Sequence, residues 1–102
     1  MTTLEPGAIL SSTWGYDQTN ASFWRVERIT KGGWVILARL EAIEESDGPQ
    51  TMTGRVTPGQ PTGEQIRRKP RFTSYGVSIT IDQGIEYAQE WNGRPVSVSH
   101  YA

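Results

Sequence analysis

The sequence predicts a mainly β domain: a small antiparallel barrel or curled sheet, SH3-like in size, with one short helix near the C-terminus. Three observations predict it. Runs rich in β-branched and aromatic residues recur at intervals of roughly ten residues. Turns bearing Gly and Pro separate them. The cleanest alternation, Val77, Ile79 and Ile81 against Ser78, Thr80 and Asp82, has the period of a strand and not of a helix. A chain of 102 residues supports one domain, 1–102. Such a barrel has few residues inside, so its stability leans on its aromatics. Each buried ring removes about 150–250 Å² from water, roughly 4–6 kcal/mol of gross transfer energy at about 25 cal/mol per Å².

Taken in order, Pro6-Gly7 closes a polar leader, and Ala8 to Trp14 carries the composition of a first strand. The stretch Trp14 to Val26 is expected to organise the fold. Trp14, Tyr16, Phe23 and Trp24 surround a polar knot of Asp17, Gln18, Thr19 and Asn20, whose side chains bond readily to nearby backbone N–H groups. This reads as a tight turn between two strands, clamped by aromatics. From Ser22 to Thr30, Phe23, Arg25, Glu27 and Ile29 fall on one face and Trp24, Val26 and Arg28 on the other, the pattern of a partly buried strand.

Lys31-Gly32-Gly33 then predicts a hairpin into Trp34–Ile43, a central strand because it starts apolar on both faces. Leu, Ala, Arg and Glu in 35–45 favour helix, but the Gly-Gly entry, the Trp-Val-Ile start and the missing cap favour strand. Asp47-Gly48-Pro49 is a turn, and Gln50 to Thr57 a fourth strand with Gly54 as a bulge or weak point. Two prolines and two glycines in 58–63 predict a flexible loop over 58–65. Ile66 to Phe72 is extended and confined to a sheet edge by Pro70. After the strand at Gly76–Asp82, Asp82 caps a predicted helix over Gln83–Trp91, with Ile85 and Ala88 on one face and Asn92-Gly93 at its end. Pro95 to Tyr101 is the last strand, Val96 and Val98 inward.

Charge and composition bound the partners. Ten basic against eleven acidic residues leave a formal charge of -1, which removes whole-molecule attraction to nucleic acid and makes any electrostatic binding regional. No cysteine is present, so disulfides and thiolate metal sites are excluded. The first residues lack the basic start and apolar run of a secretory signal, and no run of about 18 apolar residues occurs. A soluble protein with no membrane partner, acting in the cytoplasm, is expected. Lys31 and Lys69 are the only lysines, an Arg bias common where codons are GC-rich.

Two blocks carry a family resemblance. Gly7-Ala8-Ile9-Leu10, Ser12 to Asn20 and Phe23 to Val26, together with Trp91-Asn92-Gly93-Arg94-Pro95 and Tyr101-Ala102, resemble a family of small uncharacterised bacteriophage and mobile-element proteins. Those proteins have a Trp-Gly-Tyr-Asp-Gln-Thr-Asn block near the start and a Trp-Asp-Gly-Lys-Pro-like block near the end; here Asn92 and Arg94 replace the acidic and lysine positions. The middle half of the chain carries no likeness. The resemblance implies a viral, mobile-element origin and nothing about chemistry, and the Arg bias fits a phage of a GC-rich host, whose cytoplasm is then the expected location.

Catalysis finds no support in the residues. Asp17 with two amides falls short of a hard-cation site. His100 is the only histidine, and Ser97 and Ser99 alternate away from it. Gly59 and Gly63 lack the Lys-Ser/Thr of a phosphate loop. No enzyme, cofactor or metal is expected. Tyr16, Asp17, Gln18, Asn20 and Trp24 are candidate contacts for a host or phage protein, because Trp and Tyr are enriched at interfaces. Arg67, Arg68, Lys69 and Arg71, followed by Phe72 and Tyr75, form the one dense basic run, suited to nucleic acid. Against that, the acidic run Glu41, Glu44, Glu45 and Asp47 could compensate it as a solvated loop. Edge strands would allow a homo-oligomer. The expectation is a non-enzymatic phage accessory protein that binds a host or phage protein, with a nucleic-acid module as the alternative.

Overall fold

The computed structural model describes residues 4–14, 20–46, 48, 53–74, 76–82 and 86–99. Eight strands form one sheet: β1 (Ile9–Trp14), β2 (Asn20–Ile29), β3 (Val35–Ser46), β4 (Thr53–Arg68), β5 (Arg71–Thr73), β6 (Gly76–Asp82), β7 (Glu86–Glu90) and β8 (Val96–Ser99). Their order is β5-β6-β7-β1-β2-β3-β4-β8, and the pairs are antiparallel.

Two short links dictate the shape. Only Lys69 and Pro70 join β4 to β5, yet those strands lie six steps apart in sheet order, about 29 Å across a flat sheet at roughly 4.8 Å per step. Three Cα steps reach only about 10 Å, so the sheet must roll until β4 comes back beside β5 and β6. Residues 91–95 likewise join β7 to β8, five steps away. That link is bent, its Trp91 indole N–H donating to Arg94 O at 2.6 Å, so a second roll brings β8 back over the sheet.

The two rolls use opposite faces. Residues paired across antiparallel strands project to the same side, so Leu10, opposite Trp24, defines the front, and Ser11, opposite Phe23 and through it Leu40, defines the back. The front roll encloses Leu10, Trp24, Val26, Val35, Leu37, Val77, Ile79 and Ala88. The back roll encloses Phe23, Leu40, Val56 and Val98, with Ile9, Ala21, Trp91 and Val96 packed against them. Neighbouring Phe23 and Trp24 therefore lie 0% and 2% exposed in different cores. Sequence alternation had placed them on opposite faces but implied only partial burial for β2; that holds at Arg28 and Ile29, which are exposed.

Among the described residues no ladder closes the front roll, so the expected barrel is an open, doubly curled sheet. β5 pairs with β6 only through Ser78, and past that point Arg68 reaches across from β4. Its Nε donates to Thr80 O at 3.1 Å and its Nη2 to Ile81 O at 3.2 Å. One side chain thus takes the place of a strand-to-strand ladder.

Two further expectations are corrected. The helix expected over 83–91 gives way to a strand where the structure describes it: 86–90 is β7, paired to β1 and β6, and Ala88 is fully buried between them; 83–85 lie outside the described residues. Two-sided ladder pairing and that burial outweigh helix propensity. Residues 58–65 are not a loop but lie inside β4. Register slips between Ala38 and Leu40 and between Leu40 and Ala42 give β4 extra residues there, and bulges are where prolines can occupy a strand. Gly63, at φ +100, supplies a conformation that side chains rarely adopt. Phe23 and Trp24, two of the aromatics expected around the polar knot, line the two cores. Trp14 is 38% exposed, its Nε1 donating to Ser22 Oγ at 3.3 Å. Residues 15–19 lie outside the described residues.

Other readings hold. Thr30 to Trp34 forms the hairpin, with Thr30 N donating to Trp34 O at 2.8 Å and Gly33 at φ +85. Val77, Ile79 and Ile81 face the front core, Val96 and Val98 the back one. Arg71–Thr73 is an edge strand. Of the buried hydroxyls, Ser12 donates to the Glu86 carboxylate and Ser22 accepts from Trp14. Among the described residues no helix is long and apolar enough to cross a membrane.

Candidate functional site

Around the front roll the sheet's back face is its outer surface, and β8 reaches no further along β4 than Thr53–Val56. Register places Arg28, Ile36 and Arg67 in one row across β2, β3 and β4 on that surface. Trp34, two residues before Ile36, projects to the same side. The Arg67 guanidinium lies 4.7 Å from the centroid of the Trp34 ring and Lys69 Nζ lies 5.9 Å from it. Such contacts are worth about 0.5–1 kcal/mol at exposed sites, enough to orient the cations. Arg71, opposite Ser78 on the outer side of β6, continues the series.

Period two thus divides the basic run. Positions 67, 69 and 71 are exposed, whereas Arg68 turns inward and spends its donors on Thr80 O, Ile81 O and Arg67 O. Exposed Arg28, at some distance in sequence, takes its place in the surface row. Ile29, at 41% exposure, and Phe72, at 63%, lie at the same end of the molecule. Beside them Arg25 Nη2 and Glu27 Oε1 pair at 2.9 Å. The hydrogen bond from Arg25 holds the Glu27 carboxyl below the usual carboxylate range, and the same bond raises the Arg25 guanidinium.

The acidic run does not neutralise this surface. Glu41, Glu44 and Glu45 are exposed toward the far end of β3, and Glu45 stands opposite Arg55. Along β3, Glu41, Glu44 and Glu45 stand five, eight and nine residues from Ile36, the partner of Arg67, roughly 16–30 Å at about 3.3 Å each and so two or more screening lengths of about 8 Å in physiological salt. The near-zero net charge therefore conceals a basic pole formed by Arg28, Arg67, Lys69 and Arg71.

The remaining sequence candidates fare differently. Trp24 is core, with Arg39 5.6 Å above its ring and its indole nitrogen buried without an acceptor; it offers no surface to a ligand. Asn20 is half-buried opposite Trp14. Tyr16, Asp17, Gln18, Tyr75 and His100 lie outside the described residues, within which no cluster of three or more metal-ligating side chains occurs.

Sequence reasoning missed two features. One is the role of Trp34, whose signal was its place at a hairpin whose strand pairs with the basic segment. The other is a cleft of about 450 Å³ on the back face between β1, β7 and β8, its residues drawn from segments far apart in the chain. No protein-family model, curated protein or solved structure matches this chain.

Proposed function

We propose that the chain is a non-enzymatic binding module of bacteriophage or mobile-element origin, and that its basic pole grips single-stranded nucleic acid in the host cytoplasm. The separation of charge along β3 carries this reading. Arg28, Arg67, Lys69 and Arg71 are outward-facing and far from Glu41, Glu44 and Glu45, so the field at that pole is positive although the molecule is not. Cations that release phosphate counterions, beside a partly exposed ring such as Trp34, are the usual means of holding an unstacked strand.

Anisotropy titration of a labelled oligothymidylate tests it. Four cations on a single strand give a log–log salt slope of about -3. Arg67→Ala and Lys69→Ala should each weaken binding and flatten that slope by about one charge's worth. Binding that is absent, or indifferent to salt and to both substitutions, would remove the proposal.

A second reading, a host or phage protein with an acidic surface, is favoured by the Trp34–Arg67 contact. It leaves less of the indole open to a base, and it joins two residue types that dominate protein interfaces. A partner captured by the wild-type protein and lost with Trp34→Ala, with no oligonucleotide binding, would support it.

A further inference from the structure

We infer that the back-face cleft between β1, β7 and β8 is a binding site for a neutral saccharide, distinct from the basic pole. Its floor is a grid of side chains on two paired strands. Ser11 stands opposite Gln89, and one period further along, Thr13 and Tyr87 project to the same side. The grid spacing, about 5 Å between strands and about 7 Å along them, is comparable with the width of a pyranose ring. The walls come from Trp91 and Asn92 in the β7–β8 link and from Val96 of β8.

The chemistry of the lining selects the ligand class. Among the described residues no cation lines the cleft, so phosphates and other anions find no counter-charge there. Hydroxyls of Ser11, Thr13 and Tyr87 and amides of Gln89 and Asn92 offer donors and acceptors together, as a polyol demands and a purely apolar ligand does not. Trp91 and Tyr87 add ring surface against which the C–H face of a sugar can pack. The volume lies within the usual range of about 300–1,000 Å³ for small-ligand sites. β1 is paired to β2 and β7, and β7 to β1 and β6; the floor therefore has no free ladder for a peptide strand, and recognition there falls to side chains.

The wall is also held in place before any ligand arrives. Trp91 N donates to Ile9 O at 3.0 Å, its indole nitrogen donates to Arg94 O, and Phe23 meets the ring edge-on at 5.9 Å between centroids. Asn92 Oδ1 accepts from Arg94 N at 2.9 Å, which leaves the side-chain NH2 to donate elsewhere. Fixing these groups in the free protein reduces the ordering cost of binding.

The experiment is a ¹H–¹⁵N NMR titration of the full chain with cellobiose, maltose and chitobiose as probes. The expected result is saturable binding by at least one disaccharide, with a Kd on the order of millimolar or tighter, shifting Ser11, Thr13, Gln89, Asn92 and the Trp91 indole. Tyr87 is 48% exposed and Gln89 is exposed, so Tyr87→Ala and Gln89→Ala leave the core intact; each should weaken binding about tenfold. Arg67→Ala should leave it unchanged. If no probe shifts those resonances, if shifts fall only elsewhere, or if both cleft variants bind as the wild type does, the site is not a saccharide site.

Discussion

The front and back rolls are built on the same strands and differ in how each is finished. The front roll winds β5, β6 and β7 around to β4 and seals the last gap with Arg68; the back roll needs one extra strand, β8, laid along Thr53–Val56. Strands shared by two cores must be apolar on alternate faces at different points along their length, which β2 achieves with Phe23 and Trp24 side by side. The comparison teaches why one surface stays open. Where the front is filled, the back becomes the outer skin, free to carry Arg28, Trp34 and Arg67.

The sharpest way to break this comparison is to empty each core in turn. Phe23→Ala should cost about 3–5 kcal/mol and Leu37→Ala about 2–5 kcal/mol. Because β2, β3 and β4 wall both cores, each variant should still unfold in one transition by chemical denaturation, followed by circular dichroism and by tryptophan fluorescence. Two separated transitions would show the rolls to be independent units.

A smaller effect tests the seal. Arg68→Ala should lower stability by about 1–3 kcal/mol, because it strips a charged donor from two backbone carbonyls. Arg67→Ala, one residue away on the outer face, should lose no more than the roughly 0.5–1 kcal/mol of its contact with the Trp34 ring. Equal losses in a denaturant series would refute the division of the basic run.

The smallest effect concerns the outer skin itself. Glu27 titrates below the ordinary carboxylate value in the fold because Arg25 donates to it. A carboxyl depressed by folding contributes stability at pH above its unfolded value, about 4.3, and loses it as the pH falls through the folded value. NMR titration should show the Glu27 midpoint rising toward the ordinary value in Arg25→Gln; an unchanged midpoint would assign the shift elsewhere.

Local signals in the chain marked what local physics decides. The Gly32-Gly33 hairpin, the alternation of Val77, Ile79 and Ile81, and the inward Val96 and Val98 all follow from turn chemistry and period two. Two errors had one cause, tertiary pairing stronger than propensity. Glu86 to Glu90 are drawn into a ladder by strands on both sides, and Pro58 and Pro61 are accommodated by bulges that only the partner β3 reveals. The surface was half legible. The same alternation that reads β6 separates 67, 69 and 71 from 68, but the addition of Arg28 and Trp34 requires the register of three strands. The cleft was illegible because Ser11 and Gln89 meet only through the β1–β7 pairing.

The lateness of β8 in the chain has a consequence for synthesis. Every residue lining the front core has been made once Ala88 has left the ribosome, whereas the back core still lacks Val96 and Val98. Since domains generally fold as units as the chain emerges, the nascent protein passes through an interval in which Phe23, Leu40 and Val56 await the strand that covers them. That interval is when a chaperone has an apolar surface to hold and when premature association with another nascent copy is favoured.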